Sequence, residues 1–253
     1  MKPSLEGLPE PDLSIHAIGL GRDARGLDGR RRNQIALLER YGLAPTSHVL
    51  EIGCGVGWLA YDLAGRLDEG SYAGFDVSPA AIAWLADNLA PRLPHFRFDL
   101  VDARNPRYRP DDGVPPEQVT FPYADDAFDL VCAYGVFMHV DRHGIARYLE
   151  EIRRVLRPGC PALLSFMSVT PLDEAPRNGP RAYVEVEPGV YTSRPDREGW
   201  SLAYDDALIR DMIDAAGLAL RVREEGAWHG RRHGGEGAPG AIPGADLYVV
   251  TPR

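Results

Sequence analysis

The chain has 253 residues, a mass of 27.8 kDa and a composition of 44% hydrophobic and 26% charged residues. This length fits one large α/β domain or two small ones, and we expect one; the composition is that of a globular protein and excludes collagen-like and wholly disordered classes. With 28 basic against 37 acidic residues, the net charge of −9 disfavours nucleic acid and anionic membranes as partners. No apolar run approaches the roughly 20 residues that cross a bilayer, so we expect a cytoplasmic protein.

The N-terminal part of the chain predicts an irregular arm that leads into a helix. Residues 1–28 carry Pro, Gly and Asp with little periodicity, which is typical of an arm or lid. Residues 30–32 are three arginines at the start of an amphipathic pattern, and we interpret them as a solvated helix end. We assign residues 29–253 to a single domain.

Short apolar runs then alternate with helical patterns. The predicted strands are 48–52, 72–75, 96–101, 128–133, 162–166, 218–222 and 247–250. The predicted helices are 58–67, 79–90, 145–156 and 205–216. This alternation indicates a doubly wound α/β fold with a parallel sheet. The last strand follows a glycine-rich stretch and no helix, so we expect it to run antiparallel in a seven-stranded mixed sheet.

Three segments rich in Pro or Gly fit no repeating unit: residues 103–123, 170–200 and 226–244. Connections of this length are functional or are insertions, and we expect these three to cover a substrate. The candidate substrate-binding residues in or near them are His143, Trp200, Tyr204, Trp228 and His229. The three cysteines form no CxxC pair, so we predict reduced thiols and no metal site.

The sharpest local pattern is VLEIGCGVGW at residues 49–58, a buried strand that runs into a glycine turn and a helix. Glycines let the backbone approach a ligand closely, and helix N-termini present free amides. A dinucleotide fingerprint, G-x-G-x-x-G, would place its third glycine at Trp58, whose ring would block that approach. A nicotinamide or flavin cofactor is therefore disfavoured.

Two acidic residues end the next two predicted strands. Asp76 lies 23 residues after Gly53, where a ribose diol would sit in such a fold. The alternative is a helix cap, but Ser78 already occupies the capping position. The third strand ends in Asp102 and Ala103, an acid and a small residue that suit an adenine edge.

Five motifs at successive strand ends resemble the class I S-adenosylmethionine-dependent methyltransferases. They are VLEIGCGVG, GFDVSP, VDA, FPYADDAFDLV and EIRRVLRPG, which fall in order between residues 46 and 168. Several blocks, such as GFDVSPAAIAWL and GVFMHV, resemble a bacterial small-molecule or sugar-type subfamily. The resemblance implies a Rossmann-like fold and S-adenosylmethionine as the cofactor.

The resemblance also implies a cofactor site formed by Glu51, Gly53, Gly55, Asp76, Val77, Asp102, Ala103 and Tyr134. Glu51 and the two glycines would shape the methionine side, with Tyr134 beneath it. Asp76 would hold the ribose hydroxyls, Val77 would pack on the adenine, and Asp102 with Ala103 would meet the adenine edge.

Methyl transfer from a sulfonium is an in-line displacement, so positioning supplies most of the rate. A hydroxyl acceptor still benefits from a base, and His139, just past the fourth strand, is the candidate catalytic residue. The alternative is a packed histidine bonded to the backbone; His143 and His229 are further candidate bases.

We predict O-methylation of a secondary metabolite or sugar, with N- or C-methylation, or a noncatalytic S-adenosylmethionine-binding partner protein, as alternatives. The predicted partner is a small molecule, and the oligomeric state stays open.

Overall fold

A computed structural model describes residues 7–11, 14–15, 24–109, 111–170, 182–226, 228 and 244–253. The strands are β1 (His48–Ile52), β2 (Ser71–Asp76), β3 (Phe96–Leu100), β4 (Leu130–Ala133), β5 (Ala162–Phe166), β6 (Ser168–Val169), β7 (Val184–Glu187), β8 (Val190–Thr192), β9 (Leu202–Asp205), β10 (Leu218–Glu224) and β11 (Asp246–Pro252). The α-helices are α1 (Ala24–Arg40), α2 (Trp58–Leu63), α3 (Pro79–Asn88), α4 (Arg142–Val155) and α5 (Asp206–Ala215).

The main sheet has seven strands in the order β10-β11-β5-β4-β1-β2-β3. Strands β1 to β5 pair in parallel, whereas β11 lies between β5 and β10 and runs antiparallel to both. The predicted seven-stranded mixed sheet with an antiparallel last strand is confirmed. Because the parallel strands all end at the same edge, the turns after β1, β2 and β4 meet there.

Helices cover both faces of this sheet. In β1, Leu50 and Ile52 are buried in one apolar cluster while Val49 is buried in the other, since successive side chains of a strand point to opposite faces. The first cluster includes residues of α4 and α5, and the second includes residues of α1, α2 and α3. The result is the doubly wound arrangement that the alternating pattern predicts.

The structure corrects the prediction for the N-terminal arm. Helix α1 begins at Ala24, inside the segment expected to be irregular. Arg31 is not part of a solvated helix end: its Nη2 lies 2.6 Å from Asp62 Oδ1, and its guanidinium stacks on Trp58 at 4.6 Å. Arg32 is exposed, as predicted. Arg31 therefore attaches α1 to α2.

The structure also corrects the prediction for residues 170–200. Strands β7, β8 and β9 join β6 in a second, four-stranded sheet with the order β6-β9-β8-β7. Residues 188–189, Pro-Gly, form the tight turn between β7 and β8, where Gly189 has a φ of 74°. Two short strand-forming runs around a Pro-Gly pair are a hairpin signal that the composition of the segment obscures.

No helix in the described part of the chain is long and apolar enough to span a membrane.

Candidate active site

A cavity of about 1050 Å³ lies at the carboxyl ends of β1, β2 and β4. Six of the eight predicted cofactor residues line it: Glu51, Gly53, Gly55, Asp76, Val77 and Tyr134. Ligands of open α/β sheets bind at this edge, and the volume is at the upper end of the usual range for small-molecule sites. The structure therefore brings most of the predicted cofactor residues together in one place.

The glycine turn after β1 depends on glycine for two separate reasons. Gly53 has a φ of 72°, and a Cβ there would lie 2.6 Å from Val136 Cγ2. Gly57 has a φ of 83°, and its Cβ would lie 2.5 Å from Leu85 Cδ2 of α3. The first glycine brings two loops of the cavity wall together, and the second lets α2 begin against α3.

Asp76 connects the ends of β1 and β2. Its Oδ2 accepts a hydrogen bond from the Gly55 N–H at 2.9 Å, and its Oδ1 accepts one from the Ser78 N–H at 2.8 Å. The Ser78 hydroxyl accepts the Ala81 N–H and caps α3, as the sequence predicts. Each Asp76 oxygen keeps a further lone pair, so the carboxylate can hold the turn and still accept from a ligand.

Glu51 is a buried carboxyl group on the same wall. The Tyr72 hydroxyl donates to its Oε2 at 2.5 Å. Burial raises the pKa of Glu51 to about 8, and the nearby charge of Asp76 adds to that rise. A cationic ligand beside these two acids would favour the ionised form of Glu51.

Two polar groups of the wall lack partners. The Trp58 Nε1 and the Tyr134 hydroxyl are buried with no hydrogen-bond partner in the described structure. A buried donor left unpaired costs about 1–3 kcal/mol. Trp58, whose ring occupies the position of a third fingerprint glycine, lines the cavity, while its Nε1 is itself inaccessible.

Asp102 and Ala103 do not line this cavity. Asp102 is exposed and its Oδ1 pairs with Arg109 Nη1 at 2.8 Å, while Ala103 lines a smaller neighbouring cavity of about 380 Å³. The chain folds back after β3, where the Val114 N–H donates to the Asp102 carbonyl at 2.9 Å. That smaller cavity is also lined by Val77, the residue expected to pack on the adenine, so contact of Ala103 with the adenine edge stays a prediction.

The segment after β3 instead places Asn105, Arg107 and Tyr108 on the cavity wall. The Asn105 Oδ1 accepts the backbone N–H groups of Arg107 at 3.0 Å and Tyr108 at 3.2 Å. None of these three residues was predicted from the sequence. The signal for them is the length of the 103–123 connection, which marks a functional segment without naming its residues.

His139 lies on the cavity wall, as predicted, but its contacts do not support the role of general base. Arg107 Nη1 donates to Nε2 at 3.1 Å, and Nδ1 donates to the Gly199 carbonyl at 3.3 Å. Burial and the charge of Arg107 lower the pKa of His139 from its usual 6.5 to about 4. The imidazole is therefore neutral, and its acceptor nitrogen is already occupied.

The five predicted substrate-binding residues have four different locations or outcomes. Trp200 and Trp228 line the large cavity. Tyr204 does not, because it is fully buried and its hydroxyl donates to the Val140 carbonyl at 2.5 Å; this prediction is wrong. His143 is exposed and lines the smaller cavity only, and His229 lies outside the described residues.

Comparison with known proteins gives a consistent family. Residues 50–162 match a family model described as a methyltransferase domain. Methyltransferase GfsG of Streptomyces halstedii is 31% identical over 128 residues, which cover 49% of this chain and 38% of that protein. A phthiotriol/phenolphthiotriol dimycocerosates methyltransferase of Mycobacterium tuberculosis (strain ATCC 25618 / H37Rv) is 34% identical over 111 residues, 44% of this chain and 34% of that protein. Both alignments span less than half of the relative.

The fold is shared with a SAM-dependent methyltransferase from Aquifex aeolicus, at 15% identity and a TM-score of 0.54 over 90% of this chain and 93% of that one.

S-adenosylmethionine is the cofactor of this domain, and the cavity fits it. The cofactor carries a sulfonium and an ammonium cation, which suit a wall that holds Glu51 and Asp76. The motifs, the sheet order and the match over residues 50–162 together identify a class I S-adenosylmethionine-dependent methyltransferase domain.

Proposed function

We propose that this protein transfers the methyl group of S-adenosylmethionine to an oxygen of a small molecule, a secondary metabolite or a sugar derivative. One observation carries the proposal. A single cavity is lined by the cofactor candidates Glu51 and Asp76 and also by Trp200 and Trp228 from the covering segments. Its volume of about 1050 Å³ leaves room for an acceptor beside the cofactor.

Of the two relatives, one has a name that supports a small-molecule acceptor. One is called a phthiotriol/phenolphthiotriol dimycocerosates methyltransferase, and the other is called simply a methyltransferase. The net charge of −9 agrees with a partner other than nucleic acid.

The chain's own residues would act mainly by positioning. Asp76 would accept from the ribose hydroxyls with the lone pairs left by its two backbone bonds, and Glu51 would face the ammonium group. Trp200 and Trp228 would exclude water from the acceptor side. When bound, the cofactor supplies a methyl group on an activated leaving group, so the remaining task is to align the acceptor with it.

Calorimetry with S-adenosylmethionine and its demethylated product tests the cofactor, with NADH as the negative control. We expect both sulfur compounds to bind and NADH to give no heat. Transfer of a labelled methyl group to small molecules then tests the reaction. NADH binding without any response to S-adenosylmethionine would overturn the proposal.

A further inference from the structure

Arg107 is held in the cavity wall by contacts on several sides. Its guanidinium stacks on the Trp200 ring at 4.3 Å and donates from Nη1 to His139 Nε2. Its backbone N–H is bound by the Asn105 side chain, whose Nδ2 in turn donates to the His139 carbonyl at 3.0 Å. The position of this cation is therefore set before any ligand arrives.

Arg107 differs from the other arginines of this cavity in having no carboxylate partner. Arg31 pairs with Asp62 at 2.6 Å, and Arg194 pairs with Asp196 at 3.1 Å. Within the described ranges no carboxylate lies within ion-pair distance of Arg107, and its bond to His139 is the guanidinium's one hydrogen bond. Nε and Nη2 remain for a ligand, and this planar pair of donors matches a carboxylate.

The state of His139 restricts the acceptor further. A neutral imidazole whose acceptor nitrogen is taken by Arg107 does not remove a proton from an alcohol. Its position instead orients the guanidinium, so His139 is a positioning residue for Arg107. An acceptor that fits this wall enters with its oxygen already deprotonated.

We propose that the acceptor is a carboxylate, bound by Arg107 and methylated on oxygen. This inference rests on the proposed methyl transfer. A carboxylate oxygen forms the new C–O bond to the methyl carbon, and the C–S bond breaks with its electron pair kept by sulfur. A carboxylate and a sulfonium thus become a neutral methyl ester and a neutral thioether, and no proton is released.

Charge balance in the cavity agrees with this assignment. A bound sulfonium and the guanidinium of Arg107 would be two cations facing one cavity, and an anionic acceptor would reduce their repulsion. A neutral alcohol or amine would leave Arg107 without a counter-ion. The same guanidinium then excludes cationic acceptors from the cavity.

The test uses the full chain with labelled S-adenosylmethionine and three probe panels. These are aliphatic and aromatic carboxylic acids, the matched primary amides, and the matched alcohols. We expect label in the acids alone, recovered as methanol after alkaline hydrolysis of the ester, with no acidification of a weakly buffered reaction. Label in alcohols or amides, label in none of the acids, or one proton released per turnover would overturn the inference.

Variants of Arg107 provide the second arm. Arg107→Ala should raise the acid's KM roughly 10- to 100-fold, the range for hydrogen bonds to a charged group, and Arg107→Lys should fall between it and the wild type. The Kd for S-adenosylhomocysteine, the demethylated product, should stay within about twofold of the wild-type value in both Arg107 variants. Arg197→Ala is the matched control, because Arg197 also stacks on Trp200, at 4.9 Å, but does not line the large cavity.

The two arms separate the possible failures. If S-adenosylhomocysteine does not bind the wild type, the proposed function fails. If it binds the wild type but loses affinity in Arg107→Ala, then Arg107 serves the cofactor and the carboxylate inference fails. Equal effects of Arg107→Ala and Arg197→Ala on KM would show that stacking on Trp200, rather than anion binding, is what matters.

Discussion

Replacing Asp76 by alanine should weaken cofactor binding and destabilise the fold at the same time. The wild-type carboxylate accepts two backbone N–H groups, from Gly55 at 2.9 Å and from Ser78 at 2.8 Å, in a site only 6% exposed. Hydrogen bonds to a charged group contribute about 1.5–3 kcal/mol each. Water can reach part of the space left by the side chain, so we expect a loss of about 2–4 kcal/mol in unfolding free energy. For a domain of this size, that lowers Tm by roughly 4–16 °C.

The same substitution removes the acceptor proposed for the ribose hydroxyls. Loss of about 2–3 kcal/mol of binding raises the Kd for S-adenosylhomocysteine roughly 30- to 150-fold. Titration calorimetry at a temperature where the variant is folded measures this directly.

Asp102→Ala is the matched control for Asp76→Ala. Asp102 also follows a strand of the sheet, two residues after the end of β3, but it is exposed, paired with Arg109 and outside the large cavity. We expect the Kd of Asp102→Ala for S-adenosylhomocysteine to stay within about twofold of the wild-type value. An unchanged Kd in Asp76→Ala, or an equal loss in Asp102→Ala, would refute the reasoning from cavity geometry.

Three further predictions test other parts of the structure. The raised pKa of Glu51, about 8 against its usual 4.5, means that folding favours the protonated form, so cofactor-free wild type should lose stability as pH rises from about 5 to 8. In Glu51→Gln, Tm should no longer fall with pH over this range. An equal fall of Tm with pH in the variant and the wild type would contradict the prediction. Gly57→Ala combines a positive φ with a clash against Leu85 and should lower the free energy of unfolding by at least about 2 kcal/mol. Its control is Gly135→Ala, which has a φ of 71° but open space around the new Cβ and should lower it by about 1 kcal/mol. Equal denaturation midpoints for the two variants would count against the clash. Tyr204→Phe should lower stability by about 1 kcal/mol and leave the acceptor KM unchanged, whereas a raised KM would return Tyr204 to the substrate site.

The sequence by itself determined the main sheet and six of the eight cofactor residues predicted to line the cavity. The short, mostly apolar run of β1 and the glycine turn that follows it are local signals, because each depends only on residues that are neighbours in the chain. Ser78 before Pro79 predicts the start of α3 for the same reason. Glu51, Asp76 and Tyr134 could be placed together because parallel strands all end at one edge of a sheet.

Only the tertiary structure decided what the side chains after β3 and β4 contact. Arg107 donates a hydrogen bond to His139, 32 positions away, and stacks on Trp200. His139, predicted to be a base, therefore positions a cation instead. Tyr204 reaches the Val140 carbonyl 64 positions away and is buried in the core instead of the cavity. Hydrogen bonds and burial between distant segments depend on how loops fold back over the sheet, and no local periodicity encodes that path.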